Sequence, residues 1–310
     1  MGELEPRRAP VTYAEEPCRS ALNAVRGMPF NWSLNPYMGC EHRCTFCYVR
    51  AFERRADRPS GDGYGRTVRV KTNVAQVLRA ELARPSWKRE QVAIGAATDP
   101  YQPAEGRYRL TRGCLAALAD HRTPASLITR SPMIVRDLDV LTDLARRGGV
   151  TVNFSVPTLD REIWRRTEPG TAPPKQRLRA LAQLAGAGIR AGVSMAPILP
   201  GLSDRPELLD EVVRAARDAG ADHVWVNTLY LKEGTREHFL SSLATHWPEL
   251  LPAYQRDYAG RAYLPEARKR PVEEHVARLR TFYGLGLKTR RWIEPEPPPE
   301  PPQQLDLLAG

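Results

Sequence analysis

The chain has 310 residues, with 46 Lys or Arg against 36 Asp or Glu, a net charge of +10 and 42% apolar residues. That length allows one large domain with appendages or two modest ones. No apolar run approaches the ~20 residues of a bilayer span, and five cysteines with three in one loop argue against a disulfide framework. MGELEPRRAP lacks the apolar stretch of a signal peptide, and Pro6 stands where a myristoylation site needs Ser or Thr, so a cytoplasmic protein without membrane contact is expected.

Residues 1–29 are polar and proline-containing and read as an extended arm. A strand near Trp32–Tyr37 leads into the cysteine loop. Thr72 or Asn73 then caps a helix over VAQVLRAELARP, and strand Gln91–Thr98 follows. Thr111 opens RGCLAALADHR before strand Ala125–Arg130. Asp137 opens LDVLTDLARRGG before strand Val150–Val156. Pro174 opens KQRLRALAQLAGAG before strand Ile189–Ile198, and Asp204 opens RPELLDEVVRAARDAG before strand Asp222–Tyr230. Capping residues in front and glycines behind are the expected helix punctuation.

Six strand–helix units in series imply an α/β fold with parallel strands and right-handed crossovers. A full barrel needs eight units. A partial (β/α)6 TIM-like barrel over residues 30–235 is therefore expected, because a curved, partly closed sheet suits a buried reactive site. A doubly wound sheet is the alternative, and periodicity does not separate the two. Residues 236–293 read as a basic helical extension, with ten Lys or Arg and four Asp or Glu between Arg256 and Arg291. From Glu294 the composition becomes EPEPPPEPP, and six prolines in nine residues build neither helix nor central strand. Residues 294–310 are expected to be a disordered tail. They hold four acids and no base, so the rest of the chain is more basic still. Such a surplus favours a polyanionic partner. The alternative is a merely soluble arginine-rich surface.

The most informative segment is NPYMGCEHRCTFCYVR, with Cys40, Cys44 and Cys47 spaced CxxxCxxC and Phe46 before the last cysteine. Three thiolates can hold three corners of a cubane and leave the fourth iron open, where most iron–sulfur clusters are closed by four cysteines. Soft sulfur ligands suit such clusters. A structural zinc site completed by His42 or by Cys18 is the competing reading, although no second CxxC knuckle exists.

This loop resembles the signature of the radical S-adenosylmethionine (SAM) superfamily, and together with the segment Thr98–Glu105 (TDPYQPAE) it resembles the spore photoproduct lyase-like subgroup. The likeness covers roughly residues 30–235. It implies a [4Fe–4S] cluster on Cys40, Cys44 and Cys47 and S-adenosyl-L-methionine bound at its open iron. It also implies an external electron donor and a 5′-deoxyadenosyl radical that takes a hydrogen atom from substrate. A lyase-like repair reaction on DNA is the expected activity. An RNA or protein modifier, or a non-catalytic Fe–S or zinc module, are the alternatives. The lyase proper uses an additional cysteine as hydrogen donor, and neither Cys114 nor Cys18 aligns with it.

The same resemblance places SAM along the C-terminal strand edges. Phe46 is expected to pack over the cluster. Thr98 and Asp99 stand where the superfamily often has a Gly-Gly-Glu segment, and Asp99 would accept from the SAM ammonium; a turn before Pro100 is the plain alternative. Arg130 and Ser131 are candidates for the SAM carboxylate or ribose, against a strand-to-loop turn. Ser155 faces the same region, and Met195 is expected in the adenine wall or in the core. Tyr101, Gln102 and Glu105 contact ligand or stiffen the loop. GDGYGR at Gly61–Arg66 lacks GxGxxG spacing and reads as a turn cluster.

Gln304, Leu305, Asp306, Leu307 and Leu308 resemble the bacterial sliding-clamp-binding pentapeptide, set behind a proline spacer that reaches about 28 Å at polyproline rise. A sliding clamp is thus an expected partner by peptide docking, and it would place the chain near DNA.

Overall fold

The computed structural model describes residues 10–286 and 292–297. In chain order the first elements are β1 (Thr12–Glu16), β2 (Leu22–Ala24), β3 (Trp32–Leu34), β4 (Tyr37–Met38), α1 (Val49–Arg55), β5 (Thr67–Lys71), α2 (Val74–Leu82) and β6 (Val92–Ile94). Next come α3 (Ala104–Tyr108), α4 (Leu110–Asp120), β7 (Ala125–Thr129), α5 (Leu138–Arg147), β8 (Val150–Ser155), α6 (Arg161–Thr167) and α7 (Pro174–Gly186). The series closes with β9 (Arg190–Ile198), α8 (Pro206–Asp218), β10 (Val224–Thr228), α9 (Thr235–His246), α10 (Leu251–Asp257) and α11 (Glu266–Phe282).

Six strands pair in parallel in the order β3-β6-β7-β8-β9-β10, and β2 adds antiparallel to β3 at the edge. The order never reverses. A doubly wound sheet would reverse at a switch point, so the architecture is the incomplete barrel. It stays open, with β10 at one edge and β2 at the other. Alternation along the strands sends Leu127, Val152, Phe154, Val193 and Met195 outward, fully buried with Leu115, Leu118, Leu141, Leu144, Leu181 and Val212 from the helices. Each such side chain contributes about 1.5–3 kcal/mol relative to exposure.

The polar residues expected to open helices hold tertiary contacts instead. Asn73 Oδ1 accepts from the Cys18 N–H, and Asp204 accepts from the Gly201 N–H. Asp137 is fully buried and takes Tyr101, Arg112 and Arg136. Asp160 does cap α6.

Residues 1–29 hold more order than an arm. Strand β1 pairs in parallel with β5, an element absent from the sequence reading, and β4 completes this small sheet. Val68 and Val70 bury its inner face against Tyr37 and Ala104. In the C-terminal extension, α11 lies on α8, with the Tyr283 hydroxyl donating to Asp210 at 2.8 Å. The start of the predicted tail is held under the N-terminal strand ends. The Ile293 N–H donates to the Gly188 carbonyl, and Arg122 donates to the carbonyls of Glu296 and Pro297. Gln304–Leu308 lies outside the described residues. Among those described, no helix is long and apolar enough to cross a membrane.

Candidate active site

The cysteine loop links β4 to α1 at the C-terminal end of the barrel. Its entry needs glycine. Gly39 has φ +83°, and a Cβ there would sit 2.7 Å from the Thr67 carbonyl oxygen. Gly65, at φ +73°, leaves no room for a Cβ beside the Cys40 carbonyl.

A buried cation anchors the loop from within. Arg50 is 1% exposed. Its Nε donates to the Cys44 carbonyl at 3.2 Å, Nη2 to Arg43 at 3.2 Å, and Nη1 to Ser60 and Gly61 at 2.8 and 2.7 Å. The guanidinium lies 4.6 Å from the centre of the Tyr64 ring, whose hydroxyl sits 3.4 Å from Cys47 Sγ. GDGYGR is thus the outer wall of the cysteine loop rather than a nucleotide loop. From the other side, the Thr45 N–H donates to the Thr167 carbonyl and the Gly170 N–H to that of His42.

The TDPYQPAE segment fixes the loop against the sheet. The Thr98 hydroxyl and Gln102 Nε2 both donate to the Gly39 carbonyl, at 2.8 and 3.1 Å, while Gln102 Oε1 accepts from the Glu41 N–H. Asp99 accepts from the Thr129 hydroxyl, the Tyr101 N–H and the Arg130 N–H at 2.7–2.9 Å. His42 Nδ1 lies 3.2 Å from Asp99 Oδ2 but out of line for a hydrogen bond. Burial pushes the Asp99 carboxyl up, and the His42 charge and these donors outweigh it, leaving the group at about 2. Asp99, expected to receive an ammonium, therefore braces the strand ends. Glu105 is buried, accepts from Tyr37 and Arg136, and caps α4 through the Thr111 and Arg112 N–H groups.

A second brace ties β7, β8 and the loop after α6 together. Glu168, 2% exposed, accepts from Arg130 Nε at 3.0 Å on one oxygen and from Arg177 Nη2 on the other. Arg177 is fully buried and also donates to the Ser155 carbonyl at 2.7 Å. Burial raises the Glu168 carboxyl, but the two guanidinium groups prevail and hold it below the usual range. The Arg130 guanidinium lies 5.5 Å from the centre of the Phe46 ring.

Cys40, Cys44 and Cys47 line one small cavity of about 70 Å³ together with Thr98, Asp99 and Arg130. The remaining expected ligand contacts stand elsewhere. Phe46 packs into a core with Leu199 and Leu229. The Ser131 hydroxyl accepts from the Met133 N–H, as a turn residue does. Ser155 contributes its carbonyl to Arg177, and Met195 faces the helix side of the sheet. Sequence reasoning missed Arg50, Tyr64, Glu168 and Arg177, and it missed Tyr48, which lines the cavity and donates to the Ala96 carbonyl. The glycine-bracketed turn at Glu168-Pro169-Gly170 was the one local signal available for Glu168.

The thiols fit a cluster. Burial pushes Cys40 well above the ordinary thiol range, with Asp99 and the two other cysteines adding to it. Burial likewise pushes Cys44 up to about 12, against the pull of Arg130. Such thiols are ionised by metal ligation. Among the described residues, no three His, Cys, Asp or Glu side chains converge on a single metal ion. A closed zinc site needs four ligands at about 2.0–2.3 Å from one centre, whereas a cubane takes each sulfur on a different iron. Cys18 is hydrogen-bonded through its backbone to Asn73, and Cys18 does not line the cavity.

A family model for the radical SAM superfamily matches residues 34–212, more than half of the chain. The chain belongs to the radical SAM superfamily. An uncharacterized protein of Mycobacterium tuberculosis is 40% identical over 292 residues, covering 92% of this chain and 86% of its own. The radical SAM Nalpha-GlyT isomerase of Pseudomonas phage M6 is 26% identical over 196 residues, covering 62% of this chain and 38% of that protein. A spore photoproduct lyase structure with bound AdoMet and dinucleoside spore photoproduct matches with a TM-score of 0.68 at 15% identity, over 89% of this chain and 80% of that one. It shares the fold. As a radical SAM enzyme the chain takes a [4Fe–4S] cluster and SAM, and Cys40, Cys44 and Cys47 are the residues placed to hold the cluster. When bound, that cluster supplies the electron for homolysis of a sulfonium carbon–sulfur bond. The protein's share is to orient the partners and keep water out. Here Arg50, Thr98 and Gln102 fix the loop, and Arg130 places a cation beside the cavity.

Proposed function

We propose that this radical SAM enzyme cleaves SAM to a 5′-deoxyadenosyl radical and directs it at DNA, in the manner of a repair lyase or base modifier. The observation that carries the reading is the single cavity faced by Cys40, Cys44 and Cys47 at the C-terminal ends of β6 and β7. DNA as substrate is supported by the net charge of +10 and by the shared fold with a lyase that binds a dinucleoside photoproduct. The lyase reaction that relies on an extra cysteine is not extended to this chain. Cys114 is fully buried in α4, and neither it nor Cys18 lines the cavity. Gln304–Leu308 is assigned to a sliding clamp as the partner that brings the enzyme to DNA.

Anaerobic reconstitution should give about four irons per chain. Reduction with dithionite in the presence of SAM should release 5′-deoxyadenosine, faster with duplex or single-stranded DNA than with RNA. Stimulation by RNA alone would move the substrate to RNA, and no release with any of them would remove the enzymatic reading.

A further inference from the structure

A second cavity, of about 1310 Å³, opens on the far side of the cysteine loop. Its floor includes Arg43 and Thr45, the two neighbours of Cys44, and one wall is α6 with Arg161, Arg165 and Arg166. The cleft is basic. Of its three acids, Glu162 pairs with Arg166 at 3.1 Å, Glu168 is neutralised by Arg130 and Arg177, and Asp62 lies 3.6 Å from His238. Arg43 is the residue that lines both cavities. Otherwise the Arg130–Glu168 pair forms the partition, with Arg130 on the cysteine side and Glu168 on the cleft side.

That partition decides what the cleft can serve. A substrate lodged there is walled off from the cavity that the three cysteines face. An electron needs no open passage, and the cleft floor is the backbone on either side of a cluster ligand. We propose that this cleft docks a small acidic one-electron carrier protein, and that its electron enters through Cys44. This rests on the radical SAM reading above. In the transfer the reduced carrier loses one electron and the oxidised cluster gains it, with no bond or proton exchanged. Charge complementarity favours an acidic partner and gives attachment that weakens with salt.

The test uses the full-length reconstituted protein, an acidic plant-type [2Fe–2S] ferredoxin as probe, and the Arg161→Glu/Arg165→Glu variant. Both positions are exposed. Binding is measured by calorimetry at low and at physiological ionic strength. The wild type should bind ferredoxin in a salt-sensitive way and the variant roughly tenfold more weakly or worse. Ferredoxin-driven SAM cleavage should fall in step while dithionite-driven cleavage holds. Arg161→Ala/Arg165→Ala should give a smaller loss of the same kind. Equal ferredoxin affinity in wild type and variant overturns the docking site, as does loss of duplex DNA binding with ferredoxin binding intact. Failure of dithionite-driven cleavage in the wild type would instead count against the radical SAM reading, and the binding comparison would still decide the cleft.

Discussion

Arg50 holds the carbonyl of Cys44 at 3.2 Å from inside the loop that carries it. The same guanidinium reaches three more carbonyls, so one planar cation sets the curvature of the backbone on which the thiols are mounted. Lysine has the charge without the fork. Arg50→Lys should leave at least one buried carbonyl unpaired and lower unfolding stability by about 2–3 kcal/mol. Iron content after reconstitution should drop well below wild type while far-ultraviolet dichroism stays native. Full iron loading in a folded Arg50→Lys protein would show that the loop does not depend on it.

Glu168 is a single carboxylate shared by two arginines, one of them, Arg177, fully buried. Glu168→Gln removes the charge and leaves Arg177 enclosed without a counter-ion. The expected cost is about 3–5 kcal/mol, read from urea unfolding. Adding Arg177→Met should return part of it, because the stranded charge is gone. The sign with pH follows from the lowered carboxyl. Its contribution is present above the usual Glu range and is lost as pH falls through the lower folded value. A Glu168→Gln protein as stable as wild type would refute the brace.

The barrel was legible because its strands are β-branched runs and its helices carry capping residues and closing glycines. Cys40, Cys44 and Cys47 were legible because ligand chemistry fixes both residue type and spacing. What stayed hidden was whatever depends on contacts distant in sequence. Strand β1 looks like polar tail until β5 supplies its partner, and Glu168 looks like an ordinary surface acid until Arg130 and Arg177 fold onto it. Asp99 and Ser131 were rightly marked as placed near the site, yet their roles differed. The chain engages their polar atoms itself, and no sequence pattern separates an internal hydrogen-bond partner from a ligand's.

Burial, and then the nearby Arg50 charge, lower His238 to about 4, with Asp62 only partly compensating. The unfolded chain titrates near 6.5. Between those values the unfolded state binds the extra proton, so stability rises with pH across this window. It is complete above about 6.5 and lost on acidification toward 4, by up to about 2 kcal/mol for a partly screened group. His238→Gln should flatten that part of the pH dependence. Unfolding midpoints at pH 7 and pH 5 for both proteins check it, and an identical drop in both would remove His238 as the cause.

Three cysteines should matter to iron and two should not. Cys44→Ala removes one corner of the cluster and should abolish iron loading and SAM cleavage. Cys18→Ala and Cys114→Ala should retain both, because neither side chain lines the cavity. Cys114 is fully buried, so its truncation should cost about 1 kcal/mol of stability without touching iron. Iron retained at wild-type level by Cys44→Ala would break the cluster assignment.

The tail can be tested without disturbing the barrel. Residues 292–297 are tied under the strand ends, on the side of the sheet opposite the cysteine loop. A peptide beginning there has no reason to reach the cavity, and its proline-rich spacer carries Gln304–Leu308 away from the anchor. An extended peptide gains affinity from pocketed side chains and directional hydrogen bonds, so Leu307 and Leu308 are expected to fill an apolar pocket while Gln304 sets the register. Deleting Gln304–Leu308 should eliminate binding to a purified bacterial sliding clamp in a surface-resonance assay, and Leu307→Ala/Leu308→Ala should do nearly the same. SAM cleavage under dithionite should be unchanged in both. Clamp affinity that persists after the deletion would mean that the motif is incidental and that any clamp contact lies on the folded body.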